Sequence, residues 1–598
     1  MLKDIIEIMP QFDVISFDIF DTLLLRPYVY PSDLFWKIEF DENAKGFAVD
    51  RMKAERKAQI RIRANGGAEA TLDDIYSEMP QWSRLKEKEL LAEEKCLVAN
   101  PEVVEIFNYA KAQGKKILVV SDMYLSADFL KSVLLEKGIS GWNDFYVSSE
   151  HQAQKWTGDL YDKILAEISC PPERILHIGD NLGSDVYMAN RRGIVSYGYQ
   201  AVLAKFYDEC PFVKTFIESD CSVAKRLFVG ALALGWHLYK CAHSNWTYWN
   251  RMGALFAGPL CYEYARYIAC DAKSRNIHRL LFVARDGYIV KKIFNQIYPD
   301  VRTDYLFVSR AMMNLATSYN GLTDASKTYR LQHRLEALLA STDDQLVIGE
   351  IKKCIESGVV SERVNGLIAK QTAQRMIDVK LYLDSKGIKP QETGLVDGTT
   401  KYFTTEKVVS EALGAGIHSY YWLSFTPSKC GASIMWPSFD DVDPRYHDFC
   451  EYLISAPHPP VDSVKAGMPV YKGNLSFFER YKIEHCEDVE AGATGVVGIL
   501  DRFGVKVSQE MWADWVESFF DNQTSEDYES LTFARMTMST DHSGGYVSVV
   551  KPRWPVRRIR VCGKTLLGVR RERHGCNYYR TILLFGKWKL ISIRKWWR

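Results

Sequence analysis

Cysteine never occurs in the patterns that would give it a chemical role. The 13 cysteines are scattered, no C-x-x-C occurs, and their number is odd. That spacing excludes a zinc ribbon or a dithiol redox pair, and the odd count argues against a disulfide framework. A reducing cytosol is expected. Long apolar runs are missing too. No stretch of 18 apolar residues occurs, and the longest run, residues 227–238, carries His237, so no transmembrane span is expected. The opening, MLKDIIEIMPQ, has acids and a proline where a signal peptide needs a basic and then an apolar run. No secretory leader is expected. Internal repeats and low-complexity tracts are likewise absent.

Net charge is almost absent, at +1, but the balance is uneven along the chain. Residues 551–598 hold 15 Lys/Arg against one acid, Glu572, a sum of +14. The first 550 residues therefore sum to −13. Such a split points to a basic tail with an anionic partner. The remainder is ordinary globular sequence, 47% hydrophobic and 25% charged over 598 residues, enough for two to four domains with large cores.

Residues 1–205 alternate strands and helices, with strands expected at 14–17, 117–120, 144–147 and 175–178. A charged, mostly helical insertion, about 30–113, follows the first strand and reads as a cap. Residues 206–245 read as a helical connector. From 246 to 548 a second α/β pattern runs through "HRLLFVARDGYIVKKIF", "TDYLFVSRAMMNLA", "ETGLVDGTTKYFTTEKVVSEALG" and "HSYYWLSF". Serial strand-loop-helix units imply parallel sheets, whose polar loops fall on one edge. The fold class expected is thus α/β with two Rossmann-like modules, followed by a tail at 549–598.

Four pieces of the first module share one chemistry. Asp18 ends the first strand in "DVISFDIFDTLLLRP", Ser121 ends the second, Lys155 lies in "SSEHQAQKWTGDLY", and Asp180 and Asp185 follow the last strand in "ILHIGDNLGSD". A carboxylate can attack phosphorus to form an aspartyl-phosphate. A hydroxyl and a lysine can hold phosphoryl oxygens. Asp18, Asp180 and Asp185 can hold Mg²⁺, which prefers oxygen ligands and offsets the repulsion between the nucleophile and phosphate.

In this order, these residues resemble the four motifs of the haloacid dehalogenase (HAD) superfamily. The resemblance implies a Mg²⁺-dependent phosphatase domain with a helical cap, and adds the Phe20 backbone carbonyl to the metal ligands. Family phosphatases carry an acid/base Asp where Phe20 stands. Asp21, a cap residue or the substrate can take over that role, or the domain is slow or inert. Acid–base help contributes about 10²–10⁴-fold.

In the second module, Asp397 is followed by Gly398, Thr399, Thr400 and Lys401, with Thr404 close behind. Backbone N–H groups and hydroxyls there can cradle a phosphate at a helix N-terminus. Arg285 and Arg310 end neighbouring strands, where they can clamp a diphosphate, and Asp286 can act as a base or a metal ligand. The stretch resembles the phosphoribosyltransferase loop, which has a second acid where Gly398 stands. Together the two modules, with "RDG" and the "SAPH" of Ser455–His458, resemble bimodular bacterial β-ribofuranosyltransferases of surface-polysaccharide assembly. That resemblance implies transfer of ribofuranose 5-phosphate from phosphoribosyl pyrophosphate (PRPP) to a glycan such as an O-antigen or capsule, then removal of the 5-phosphate by the HAD module. Glu451, His458 and Glu479 lie late in the module, with His458 either near the acceptor or structural.

Two rival readings stand beside it: a nucleotide-sugar glycosyltransferase with an accessory phosphatase, and a scaffold with degenerate folds. The tail residues "NYYRTILLFGKWKLISIRKWWR", 577–598, mix basic and aromatic side chains and suit an anionic membrane surface. A cytoplasmic protein peripheral to the inner face of the plasma membrane, using a lipid-linked glycan acceptor, is expected, and no nucleic-acid partner.

Overall fold

The structure is a computed structural model and describes residues 2–316, 331, 334–400, 403–426, 432–437, 445–537 and 546–548. The basic tail lies outside the described residues. Two compact units emerge, one of residues 1–246 with 498–507, the other of 247–497 with the described residues beyond 507. Both are mixed α/β with a parallel sheet.

The first sheet has strands β1 (Val14–Phe17), β2 (Lys116–Ser121), β3 (Asp144–Val147), β4 (Ile175–Gly179) and β5 (Val195–Gly198). Their order is β3-β2-β1-β4-β5, all parallel. Alternation of side chains across each strand splits the core into two layers. Ile15, Phe17, Ile117, Val119, Leu176 and Ile178 face one layer, and Val14, Leu118, Val120 and Ile175 face the other. Both faces are covered, which is why β1, β2 and β4 read as nearly unbroken apolar runs. The strand order reverses beside β1, so the carboxyl edge opens there, where such sheets bind ligands.

The chain leaves the sheet after β1 and returns through a short antiparallel ribbon, Leu24–Leu25 against Val98–Ala99. Helices Asp33–Asp41, Phe47–Ala64, Leu72–Ser77 and Lys86–Cys96 lie between. The insertion was expected to extend to about 113. Instead helix Pro101–Ala112 turns Val103, Ile106, Phe107 and Ala110 onto the sheet, with the Phe107 ring 5.3 Å from that of Phe17. Residues 206–245, expected to form a connector, are helices of the first unit: Arg226 Nε meets Asp33 at 2.8 Å, and His237 Nε2 lies 3.1 Å from Asn100 Oδ1.

The second sheet has strands β6 (Arg279–Val283), β7 (Arg302–Leu306), β8 (Thr393–Val396), β9 (Thr399–Thr400), β10 (His418–Ser424) and β11 (Ser433–Trp436). The order is β9-β10-β8-β6-β7, with β11 on β10, all parallel. Here the order reverses between β6 and β8. Among the described residues, no helix is long and apolar enough to cross a membrane.

Candidate functional site

In the first unit, β1 is hydrogen-bonded to both β2 and β4, which delivers Asp18, Ser121 and Asp180 to the same edge. Asp18 and Ser121 are buried. Asp185 reaches back from a π-helical turn, Leu182–Met188, whose N-cap Asn181 accepts from Gly183 and Ser184 N–H at 2.9 and 3.1 Å. That reach requires Gly179, because a Cβ there would lie 2.4 Å from the Asp185 carboxyl carbon. The buried Lys155 ammonium donates to Asp18 Oδ1 and, at 2.6 Å, to Asp185 Oδ1. Carboxylate oxygens of Asp18, Asp180 and Asp185 all lie within 4.8 Å of one another.

Two residues that the motif reading did not single out hold this geometry. Asp122 accepts from the backbone N–H of Lys155 at 2.7 Å and of Trp156 at 3.1 Å, fixing the lysine loop. His177 bridges Asp185 Oδ1 at 3.3 Å and Ser16 Oγ at 2.8 Å. The carboxylate can only accept, so Nε2 carries the proton and Nδ1 accepts from Ser16. Burial keeps His177 below its ordinary pKa.

The electrostatics separate the acids. Burial raises Asp18, opposed by Lys155. Burial, then Asp21 and Asp185, push Asp180 up to about 7. Against burial, Lys155 and His177 hold Asp185 below the carboxylate range. Lys155 stays protonated because Asp18 and Asp185 outweigh its desolvation. A cluster of three oxygen donors, one of them holding its proton to near neutrality, fits Mg²⁺. Asp18, Asp180 and Asp185 would hold it.

Residues 12–193 match the family of haloacid dehalogenase-like hydrolases. The N-terminal domain is a haloacid dehalogenase-like hydrolase domain. No curated protein matches the chain. Among solved structures the chain is similar to the L-2-haloacid dehalogenase of Xanthobacter autotrophicus (16% identity, covering 37% of this chain and 88% of that one, TM-score 0.26). It is also similar to the HAD-hydrolase YfnB of Bacillus subtilis bound to magnesium (16% identity, 31% and 87%, TM-score 0.24) and to the HAD family enzyme bt-2542 of Bacteroides thetaiotaomicron (14% identity, 32% and 94%, TM-score 0.24). At these scores the likeness bears on neither substrate nor chemistry.

Within the hydrolase domain, Phe20 has a structural partner. The Arg26 guanidinium stacks on its ring at 3.9 Å and is itself tied to Glu93 of the inserted helix Lys86–Cys96 at 2.6 and 2.9 Å. Asp21 follows at φ 55°. Burial raises its carboxyl, opposed by Arg26, and its charge is felt at Asp180. A carboxylate thus stands one residue after Phe20, close enough to Asp180 for its charge to be felt there.

The second unit gathers another charged cluster at the point where its strand order reverses. Arg285 follows β6 at φ 75°, ψ −71°, a strained conformation for a residue with a side chain. Its N–H donates to Tyr305 Oη at 2.7 Å, and its guanidinium meets Glu479 at 3.0 Å and Ser455 Oγ at 3.4 Å. Tyr305 Oη donates to His458 Nε2 at 2.8 Å, while His458 Nδ1 donates to the Pro459 carbonyl at 2.8 Å. Both ring nitrogens are engaged, and burial, then Arg285, keep His458 below its ordinary pKa. His458, read from the sequence as either near the acceptor or structural, holds the tyrosine that supports the Arg285 turn.

Asp397 follows β8, buried, its Oδ1 accepting from Gly398 N–H at 2.9 Å. The Asp286 Oδ2 lies 2.8 Å from where a Cβ on Gly398 would stand. A side chain at position 398 would displace Asp286, which brings a carboxylate to that place from the start of the helix after β6. Thr399 and Thr400 form β9, with Thr399 Oγ1 donating to Glu451 at 3.2 Å and Thr400 Oγ1 accepting from Phe403 N–H at 2.9 Å. Helix Thr404–Leu413 starts one residue after Phe403, which caps it at φ 52°. Lys401 and the Arg310 side chain lie outside the described residues.

Helix Phe477–Glu484 adds Lys482, a residue with no sequence signal of its own, buried and electrostatically linked to Arg285, Glu479, Asp286 and Glu451. The burial of Lys482 within "FFERYKIE" is a tertiary fact, and no local pattern marks it.

Proposed function

We propose that the hydrolase domain is a Mg²⁺-dependent phosphatase. On this reading the second unit transfers ribofuranose 5-phosphate from PRPP to a lipid-linked glycan of bacterial surface polysaccharide. The phosphatase then removes the 5-phosphate and leaves β-ribofuranose. The observation that carries the reading is the buried Lys155 ammonium held between Asp18 and Asp185 in a three-carboxylate cluster.

In this mechanism an Asp18 oxygen attacks phosphorus, the P–O bond to the sugar breaks, and an aspartyl-phosphate remains. Lys155 and Ser121 hold the phosphoryl oxygens. Asp21 supplies the proton to the leaving sugar oxygen, then takes one from the water that hydrolyses the acyl-phosphate. Its raised carboxyl and its electrostatic closeness to Asp180 support this role over an inert domain. Mg²⁺, when bound by Asp18, Asp180 and Asp185, supplies charge neutralisation between carboxylate and phosphate.

For transfer, Arg285 binds the diphosphate of PRPP, and Asp397 and Asp286 face the ribose or the charge developing on its anomeric carbon. The support is their meeting at the strand-order reversal, with strain stored at Arg285. Pairing the steps has a chemical logic, because a product that loses its phosphate cannot return to donor. A tethered phosphatase also acts at high effective concentration. The basic tail supplies an address at the inner face of the plasma membrane; each basic residue near an anionic surface contributes about 1 kcal/mol.

The test is twofold. Purified protein with Mg²⁺ is given a panel of sugar phosphates and phosphate release is followed; separately, PRPP is given with synthetic acceptors and pyrophosphate release is followed. Phosphate release from none of the sugar phosphates, with chelator and Mg²⁺ giving equal traces, would leave only the scaffold reading. Release of a nucleoside diphosphate from a sugar nucleotide, in place of pyrophosphate from PRPP, would favour the nucleotide-sugar transferase.

A further inference from the structure

The loop from Asp18 to Leu23 carries the nucleophile and the acid of the proposed reaction. It is built of turns and one isolated bridge, Phe20 with Leu24, and it closes on itself where Leu24 N–H donates to the Ile19 carbonyl at 2.8 Å. The rest of its hold comes from Asn100, which stands just before helix Pro101–Ala112, where the chain returns from the inserted helices. The Asn100 backbone N–H donates to the Leu23 carbonyl at 2.9 Å. Its side-chain Nδ2 donates to the Thr22 carbonyl at 2.8 Å and to Tyr199 Oη at 2.9 Å. Thr22 Oγ1 in turn donates to Asp180 Oδ1 at 3.2 Å. Asn100, Thr22 and Tyr199 are all buried.

An amide can face either way, and here its partners decide. The Thr22 carbonyl can only accept, so Nδ2 faces it and Oδ1 is left to accept. Oδ1 lies 3.1 Å from Nε2 of His237, which is buried. Burial lowers the His237 pKa to about 4, so the ring is neutral and its one N–H is on Nε2, donated to Asn100. His237 belongs to helix Val223–Ala242, beyond the residues 12–193 that match the hydrolase family. That helix is seated at two further places. Arg226 meets Asp33 of the first inserted helix at 2.8 Å. Gly230 lies against the chain leaving the loop, where a Cβ would stand 2.4 Å from the Pro27 carbonyl oxygen.

We propose that Asn100, supported by His237, is a positioning residue of the hydrolase reaction: it sets the turn that presents Asp18 and Asp21, and it fixes the Thr22 hydroxyl that orients Asp180. Helix Val223–Ala242 is thereby part of the catalytic unit. The reaction served rests on the function proposed above, whereas the hold on Asp180 does not.

The full chain is assayed with p-nitrophenyl phosphate and Mg²⁺, and Mg²⁺ binding is measured separately by titration calorimetry. Asn100→Ala should lower kcat by about 10- to 100-fold, keep KM within about 3-fold of wild type and weaken Mg²⁺ binding by about 10-fold. Circular dichroism monitors folding. A folded Asn100→Ala with wild-type kcat and wild-type Mg²⁺ affinity overturns the inference. Should Asn100→Ala not fold, His237 decides. His237→Leu fills the place of the ring without a donor and should lower kcat by about 5- to 10-fold, the loss of one hydrogen bond. His237→Gln restores an N–H and should return to within about 2-fold of wild type. Wild-type kcat in His237→Leu, or equal losses in the two variants, overturns the inference. Wild-type protein that releases phosphate neither from p-nitrophenyl phosphate nor from sugar phosphates removes the phosphatase reading. The Mg²⁺ affinities then decide alone, and an affinity unchanged in folded Asn100→Ala or, failing that variant, in His237→Leu overturns the inference.

Discussion

Replacing Lys155 by methionine leaves the buried acids of the hydrolase domain without their cation. The side chain donates to both Asp18 and Asp185, and Asp180 completes a set of carboxylate oxygens within 4.8 Å of one another. Two like charges at 4.8 Å repel by about 3.5 kcal/mol at an effective dielectric constant of 20. Breaking a buried ion pair by removing one partner typically costs about 3–5 kcal/mol. Uptake of a proton by one acid caps the penalty near that range. The expected loss of stability in chelator is therefore about 3–5 kcal/mol, or roughly 6–20 °C in the midpoint of a unit this size. Differential scanning calorimetry of the full chain, following the transition that Mg²⁺ shifts, reads this directly. A divalent cation supplies the missing positive charge, so Mg²⁺ should raise the midpoint of Lys155→Met by more than it raises wild type. A loss under about 1 kcal/mol in chelator, or equal Mg²⁺ shifts in the two proteins, would refute the reasoning.

Asp18→Asn should lower phosphate release from sugar phosphates by about 10³-fold or more, and release at the wild-type rate would remove Asp18 as nucleophile. Mg²⁺ affinity should rise with pH up to about 7 and level off above, because Asp180, pushed up to about 7 by burial and by Asp21 and Asp185, must lose its proton to bind the metal; titrations in buffers of different ionisation enthalpy should show proton release on binding below pH 7, and a pH-independent affinity between 5 and 8 would contradict the assignment. In the second unit, burial pushes Glu406 up to about 7 from 4.5, opposed by Lys407. The folded state then binds more protons than the unfolded state between those values, so its contribution falls as pH rises from 4.5 to 7. Glu406→Gln should stabilise the second unit above pH 7 by up to about 3 kcal/mol, measured by denaturant unfolding, with little difference from wild type at pH 4; a variant less stable at pH 8 would count against it.

The parallel strands were legible because strands covered on both faces are nearly continuous apolar runs. Strand β5, "VSYG", escaped notice because its edge position leaves Val195 and Gly198 exposed. Helix Pro101–Ala112 carries a clear apolar stripe, but periodicity says that a helix has a buried face, not what covers it. It was therefore read as insertion rather than as the layer over Phe17. Asp18, Ser121 and Asp180 were legible because strand ends on one edge converge by topology, whereas Lys155 and Asp185, on a loop and a π-helical turn, were legible only as parts of a motif. Asp122 and His177 were not, since their roles are hydrogen bonds to a distant loop and to a neighbouring carboxylate. The same limit hid the second unit's solution to its missing acid. Gly398 looked like a departure from a two-acid loop, and only the fold brings Asp286 to that place from the end of β6. That Thr399 and Thr400 pair with Leu423 and Ser424 as a short strand was likewise not legible, because a Gly-Thr-Thr run reads as a turn.

The coupling of a transferase to a phosphatase is tested most directly by mass spectrometry of the products formed from PRPP, Mg²⁺ and a synthetic glycan acceptor panel. Wild-type protein, Asp18→Asn and Asp397→Ala are compared side by side. The account predicts an acceptor that gains a pentose with wild type, a pentose phosphate with Asp18→Asn, and nothing with Asp397→Ala. A pentose without phosphate from Asp18→Asn, or no gain of mass from wild type on any acceptor while a sugar nucleotide is consumed, would contradict it.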